Sequence, residues 1–142
     1  MNMSHFSTVV LLAAALTACA QSIDPGAPTA AALGCALPSN CVSTVDGGAA
    51  PLRFEGDSIQ AMVRLKRTLA AYTDVRIVRS DATSVDAVFT TAAGFEDEVA
   101  FRLDAPQHRV DYRSRSRLGL FDFGKNRSRM REFAERFAAS GG

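Results

Sequence analysis

No stretch of this 142-residue chain is apolar for long enough to cross a bilayer as a helix. Such a helix needs roughly 20 apolar residues, and the run from Val9 through Leu16 falls well short. An excess of one charge sign is also missing, since 16 basic residues face 15 acidic ones at a formal net charge of +1. That balance removes the global basic field that would recruit nucleic acid. Histidine is scarce, with only His5 and His108. Neither a Cys-x-x-Cys pair nor a Cys/His grouping is present, so redox and zinc chemistry lose their usual sequence signals. No cofactor or metal is expected, and no internal repeat breaks the chain into units.

What is there begins with Leu16-Thr17-Ala18-Cys19, a cysteine directly after the short apolar run. The pattern is that of a lipobox, with cleavage before Cys19 and lipid on its sulfur. The run fits the apolar region of a secretory leader, although Met1 to Phe6 carries no Lys or Arg. Cysteine parity agrees. With Cys19 acylated, Cys35 and Cys41 remain as a pair in a disulfide-permitting compartment. Closing so short a loop contributes on the order of 2 kcal/mol. Ala20, where an aspartate would favour inner-membrane retention, points to the outer membrane, with the periplasmic side of the inner membrane as the alternative.

The domain layout follows: a leader over 1–18, a lipidated cysteine and flexible tether over 19–36, and one domain over 37–142. The tether is rich in alanine and holds Pro25, Gly26 and Pro28. In the domain, Asp57 and Gln60 read as a capping box before a helix with Ile59, Met62, Leu65, Leu69 and Tyr72 on its apolar face. The period then changes to two. Val75 and Ile77, then Val85, Ala87 and Phe89, then Val99, Phe101 and Leu103, then Val110 and Tyr112 predict four strands.

Charge selects the register of the last two strands. Asp104 opposite Arg109 sets Arg102 against Asp111 and Glu98 against Arg115, three favourable pairs on the solvent face. A slip by two residues would set Arg102 against Arg109, and a slip by one would turn the apolar set outward. The chosen register also brings Asp97 opposite Ser116 on the core side. A final helix shows Met130, Phe133, Ala134 and Phe137 at helical spacing, with Asn126 as its cap. The expected fold is α+β, a four-stranded antiparallel meander with an N-terminal and a C-terminal helix on one face.

One segment breaks the usual rules. Arg113, Arg115, Arg117, Lys125, Arg127, Arg129 and Arg131 crowd together with Asp122 as the only acid. Basic residues at a helix start oppose its dipole, and such local conflicts mark candidate sites. Free amides and arginines there suit an anion. The competing view is that the arginines brace the domain through Asp97, Glu98 and Asp122. The candidate set is therefore Asp97, Glu98, Arg113, Ser114, Ser116, Arg117, Asp122, Asn126, Arg127 and Arg131, as an anion site or a structural network.

Catalytic motifs are weak. A Ser-His-Asp triad would need His108, which sits in a hairpin loop away from Ser114 and Ser116. Asp122-Phe123-Gly124 spells a kinase magnesium motif without the glycine-rich loop, lysine or catalytic loop that give it meaning.

Four blocks in order carry a resemblance: Asn40 to Thr44, Gly94 to Arg102, Tyr112 to Gly119, and Asp122 to Arg127. From about Cys35 to Phe137 the chain resembles the bacterial and plastid family called domain of unknown function 1499. Thr44, Glu98 and Arg115 depart from that family's usual Ser, Asp and Ala. The resemblance implies an envelope protein, frequently lipid-anchored, and supplies no reaction. The expectation is a periplasm-facing lipoprotein, anchored to the membrane by lipid. It would bind or brace an anionic lipid, peptidoglycan or an envelope protein, and no nucleic acid. The alternative is a small hydrolase or transferase using Asp97, Ser114, Ser116 and Asp122.

Overall fold

The computed structural model describes residues 30–141; the leader, Cys19 and most of the tether lie outside them. The chain runs β1 (Cys41–Ser43), β2 (Leu52–Arg53), α1 (Ser58–Ala70), β3 (Val75–Ser80), β4 (Ser84–Thr90), β5 (Glu96–Asp104), β6 (Arg109–Ser116) and α2 (Lys125–Ala139). Short 3-10 turns over Ala30–Leu33 and Pro38–Asn40 precede β1. Among the described residues no helix is long and apolar enough to cross a membrane.

β3 to β6 form the expected antiparallel meander. The sheet is larger than expected, however. β1 and β2 both pair with the free edge of β6, giving a six-stranded sheet in the order β1-β6-β5-β4-β3. α1 is accordingly not the first element. Two strands of three and two residues are too short for alternation to reveal, and only the tertiary partner makes them strands.

The register of β5 and β6 is the one that charge selects, with Asp104 opposite Arg109, Arg102 opposite Asp111, Glu98 opposite Arg115 and Asp97 opposite Ser116. The actual pairing departs from it in one place. Arg102 turns to Asp86 on β4, with Nη1 2.6 Å from Oδ1. Asp111 is buried, ion-paired to Arg109 and accepting from the Thr44 hydroxyl at 2.9 Å. That part of the face is covered by the chain after β1 rather than by solvent.

Both helices cover the opposite face. Met62, Leu65 and Leu69 of α1, and Met130, Phe133 and Phe137 of α2, close over Val85, Phe89, Val99, Phe101, Val110 and Tyr112. Asp57 caps α1 by accepting from the Ile59 amide. Ile59 itself is exposed, one turn too early to reach the core.

The end of the segment assigned to the tether is attached to the sheet. Leu33 is fully buried, Arg113 donates to the carbonyls of Ala32 and Gly34, and Cys35 is bonded to Cys41 at a Cα separation of 5.7 Å. The disulfide drawn from cysteine parity is present.

Candidate functional site

Five of the sequence-selected residues meet where β5, β6 and α2 converge. Asp97, Ser114 and Ser116 lie on core-facing positions near the ends of their strands, and Asn126 enters from the first turn of α2. Asn126 is completely buried. Its amide nitrogen donates to Asp122 at 2.9 Å, to the Ser116 hydroxyl at 3.1 Å and to the Asn40 carbonyl at 3.3 Å. Its oxygen accepts from Ser114 at 2.5 Å and from Arg129 at 3.2 Å. Ser116 in turn donates to Asp97 at 2.7 Å. Arg129 closes the ring, its guanidinium lying 2.7 Å from the second Asp97 oxygen and stacked near the Phe89 ring. That last contact is an ion pair rather than an aligned hydrogen bond, since the same Asp97 oxygen has no hydrogen-bond donor.

Asn126 is therefore a keystone, not a cap. The capping is done by Asp122, whose carboxylate accepts from the amides of Gly124 and Asn126 at 2.9 Å each. Burial pushes the Asp122 carboxyl up, but these amides and the Asn126 side chain outweigh it and hold it below the usual range. This corrects the expectation of free amides at the helix start: the anion they bind is the chain's own Asp122. Phe123 and Gly124 both adopt positive φ to let the chain fold back into that cap.

The arginines divide between the two sides of the sheet. Arg127 donates to the Gly48 carbonyl, and Arg131 is exposed, with no ion pair among the described residues. Arg115 binds Glu98 through two nitrogens, at 3.0 and 2.7 Å. Arg117 pairs with both Glu96 and Glu98. Burial would push the Glu98 carboxyl up, but the bond and charge of Arg115, with Arg117 and Arg113 near, hold it low. Most of the basic crowd is thus bracing.

A different grouping is left on the helix-free face. Arg76, Arg102, Arg113 and Arg117 surround a groove of about 390 Å³, against two carboxylates, Asp86 and Glu98, over Val78, Val88 and Ala100. Arg102 is nine-tenths buried there, and its Nε has no hydrogen-bond partner. Burial lowers the Arg113 guanidinium, and Arg115 and Arg102 lower it further. Arg76 and Arg102 escape sequence reasoning because only the sheet brings β3, β5 and β6 together. Arg129 has a detectable signal: it sits three residues after Asn126, on the same side of α2 as Met130 and Phe133.

Ser114 donates to the Asn126 amide oxygen, which is no base, and Ser116 donates to Asp97, whose other oxygen faces Arg129. His108 lies tilted against Phe54 at the far end of β6. The Tyr72 hydroxyl is buried without a partner, and burial raises its pKa, the wrong direction for a base. Among the described residues no three or more His, Cys, Asp or Glu side chains gather as a metal site.

These features define a small α+β domain locked by a buried polar keystone, with a basic groove on its uncovered face. Residues 34–137 match the family described as protein of unknown function (DUF1499), and the chain belongs to that family. No curated protein and no solved structure matches the chain.

Proposed function

We propose that this protein is a non-enzymatic binding module of the cell envelope. It is tethered through Cys19 to the periplasmic side of the outer membrane, and its uncovered sheet face takes a phosphate- or carboxylate-bearing envelope ligand. The observation that carries the reading is the groove, where Arg76, Arg102 and Arg117 are answered by Asp86, Glu96 and Glu98 while Arg113 meets only carbonyls and has no carboxylate partner among the described residues. An anion there would relieve the crowding of like charges around Arg113. Two features weigh against the hydrolase or transferase alternative: Ser114 is fully buried with its proton on the Asn126 amide oxygen, which is no base, and the carboxylate that Ser116 meets is already ion-paired to Arg129.

The test is thermal stabilisation of the full chain, in detergent at low salt, by inorganic phosphate, glycerol 3-phosphate and muramyl peptides. Stabilisation by at least one of them, lost in Arg76→Glu, is expected. Arg76 is well exposed, with only a 3.4 Å contact to Glu96, so its replacement leaves the fold intact. No stabilisation by any of the three overturns the reading. Labelling with a palmitate analogue should fail in Cys19→Ser, and label retained on that variant overturns the anchor.

A further inference from the structure

We infer that the loop from Leu118 to Phe123, together with Phe95, is a second contact of this protein with the bilayer surface, working beside the Cys19 anchor. The inference rests on the anchored reading above, and the experiment below separates the two.

The loop inverts normal residue placement. Leu118, Leu120 and Phe121 are each about two-thirds exposed or more, and Phe123 is 99% exposed. Phe95 joins them from the β4–β5 turn, so every exposed phenylalanine among the described residues lies in this one patch. Below it is a hollow of about 350 Å³ that these side chains do not fill, walled by Phe95, Leu118, Phe121 and Phe123 and, on its polar side, by Asp97, Ser116 and Asp122.

The backbone holds them out. Ser39 donates to the Leu120 carbonyl, Asn40 donates to that of Gly119 at 2.7 Å, and the Asp122 amide donates to the Ser39 carbonyl at 3.1 Å. Phe123 sits at φ 53°, a conformation costly for a bulky residue, although its side chain is almost wholly in solvent. The turn that the Asp122 cap requires leaves the Phe123 side chain facing outward.

Two observations favour lipid over a protein partner. The residues that hold the loop, Ser39 and Asn40, are where the N-terminal chain enters the sheet, so loop and chain entry share one end of the domain. Extended chain from Cys19 to Ala30 reaches at most about 40 Å, about the width of a domain this size, which leaves that end within reach of a bilayer holding an acylated cysteine. Charge agrees as well. The Asp122 carboxylate is turned inward to the helix cap, while Lys125 at the loop base is exposed, with no ion pair among the described residues. Apolar side chains with a flanking cation are the composition that enters the headgroup region.

The chain contains no tryptophan, so one introduced indole reports alone. Full-chain Phe123→Trp, with Leu118→Trp as a second probe, is mixed with phosphatidylethanolamine–phosphatidylglycerol vesicles carrying brominated acyl chains. Val78→Trp, in the groove, is the reference. The loop probes should be quenched on the order of twofold, with the reference unchanged. Equal behaviour of loop and reference probes overturns the inference. So does a blue shift that depends on protein concentration but not on bromine, which would make a second copy the occupant. Vesicle sedimentation of wild type against Cys19→Ser scores the anchor separately. If sedimentation does not depend on Cys19 the anchor fails, and quenching at the loop still decides this inference either way.

Discussion

Between Ser116 and Asn126 two adjoining regions place their residues in opposite ways. On one side, Asp97, Ser114 and Asn126 are polar and buried, with Ser116 and Arg129 bonded to them at the margin. On the other, Leu118, Leu120, Phe121 and Phe123 are apolar and left outside. The inside group is stable because each member answers another: a fully connected buried network rigidifies, whereas a half-satisfied one is costly. The outside group has no such partner, so its exposure is a statement about something beyond the domain.

The contrast breaks most sharply at the ion pair. Arg129→Met strands the Asp97 carboxylate in the interior and should cost about 3–5 kcal/mol, read as a large loss in denaturant midpoint. Asn126→Leu should follow at about 3 kcal/mol, because Ser114, Ser116 and Asp122 each lose a partner. If either variant unfolds at the wild-type midpoint, the network is ornamental. Cys35→Ser with Cys41→Ser should cost about 2 kcal/mol and loosen the loop that Ser39 and Asn40 hold. Reducing agent on the wild-type chain should reproduce that shift.

The opposite prediction applies outside. Phe121→Ser should change stability by no more than about 0.5 kcal/mol while reducing binding of a hydrophobic dye. A midpoint shift as large as that of Asn126→Leu would mean that the phenylalanine is packed after all.

The smallest effect is set by pH. In the β3–β4 turn, the Ser84 hydroxyl and then the Thr83 amide hold Asp81 down to about 2 from 3.8. A depressed carboxyl contributes stability above its unfolded value and loses it as pH falls through the folded one. Asp81→Ala should therefore flatten the acid-unfolding slope between pH 3.8 and about 2 and leave the slope above it unchanged. Asp122, lowered by its amide bonds, steepens the same acid limb, so Asp122→Asn should flatten it too.

How much of this was legible depends on the range of the signal. The β5–β6 pairing reads out of cross-strand charge and alternation because both strands are long and joined by a tight loop. The site is harder. Asn126 has the composition and place of a cap, and only Asp122 folding back over Phe123 displaces it into the interior. Arg102 had an acid directly opposite in Asp111, yet took Asp86 from the neighbouring strand once Thr44 and Arg109 had claimed Asp111. The arginine crowd reads as one patch, but β6 and α2 send it to opposite sides of the sheet.

Sequence alone determined the helices, the meander and its register, and the Cys35–Cys41 bond, because periodicity, neighbouring charges and cysteine parity are written locally or nearly so. Tertiary structure alone decided that β1 and β2 are strands, that Asn126 is buried, and that the groove arginines share a face. Those outcomes depend on segments as far apart as Asn40 and Asn126 meeting in space. A buried polar group has no preference of its own until the partners that satisfy it arrive.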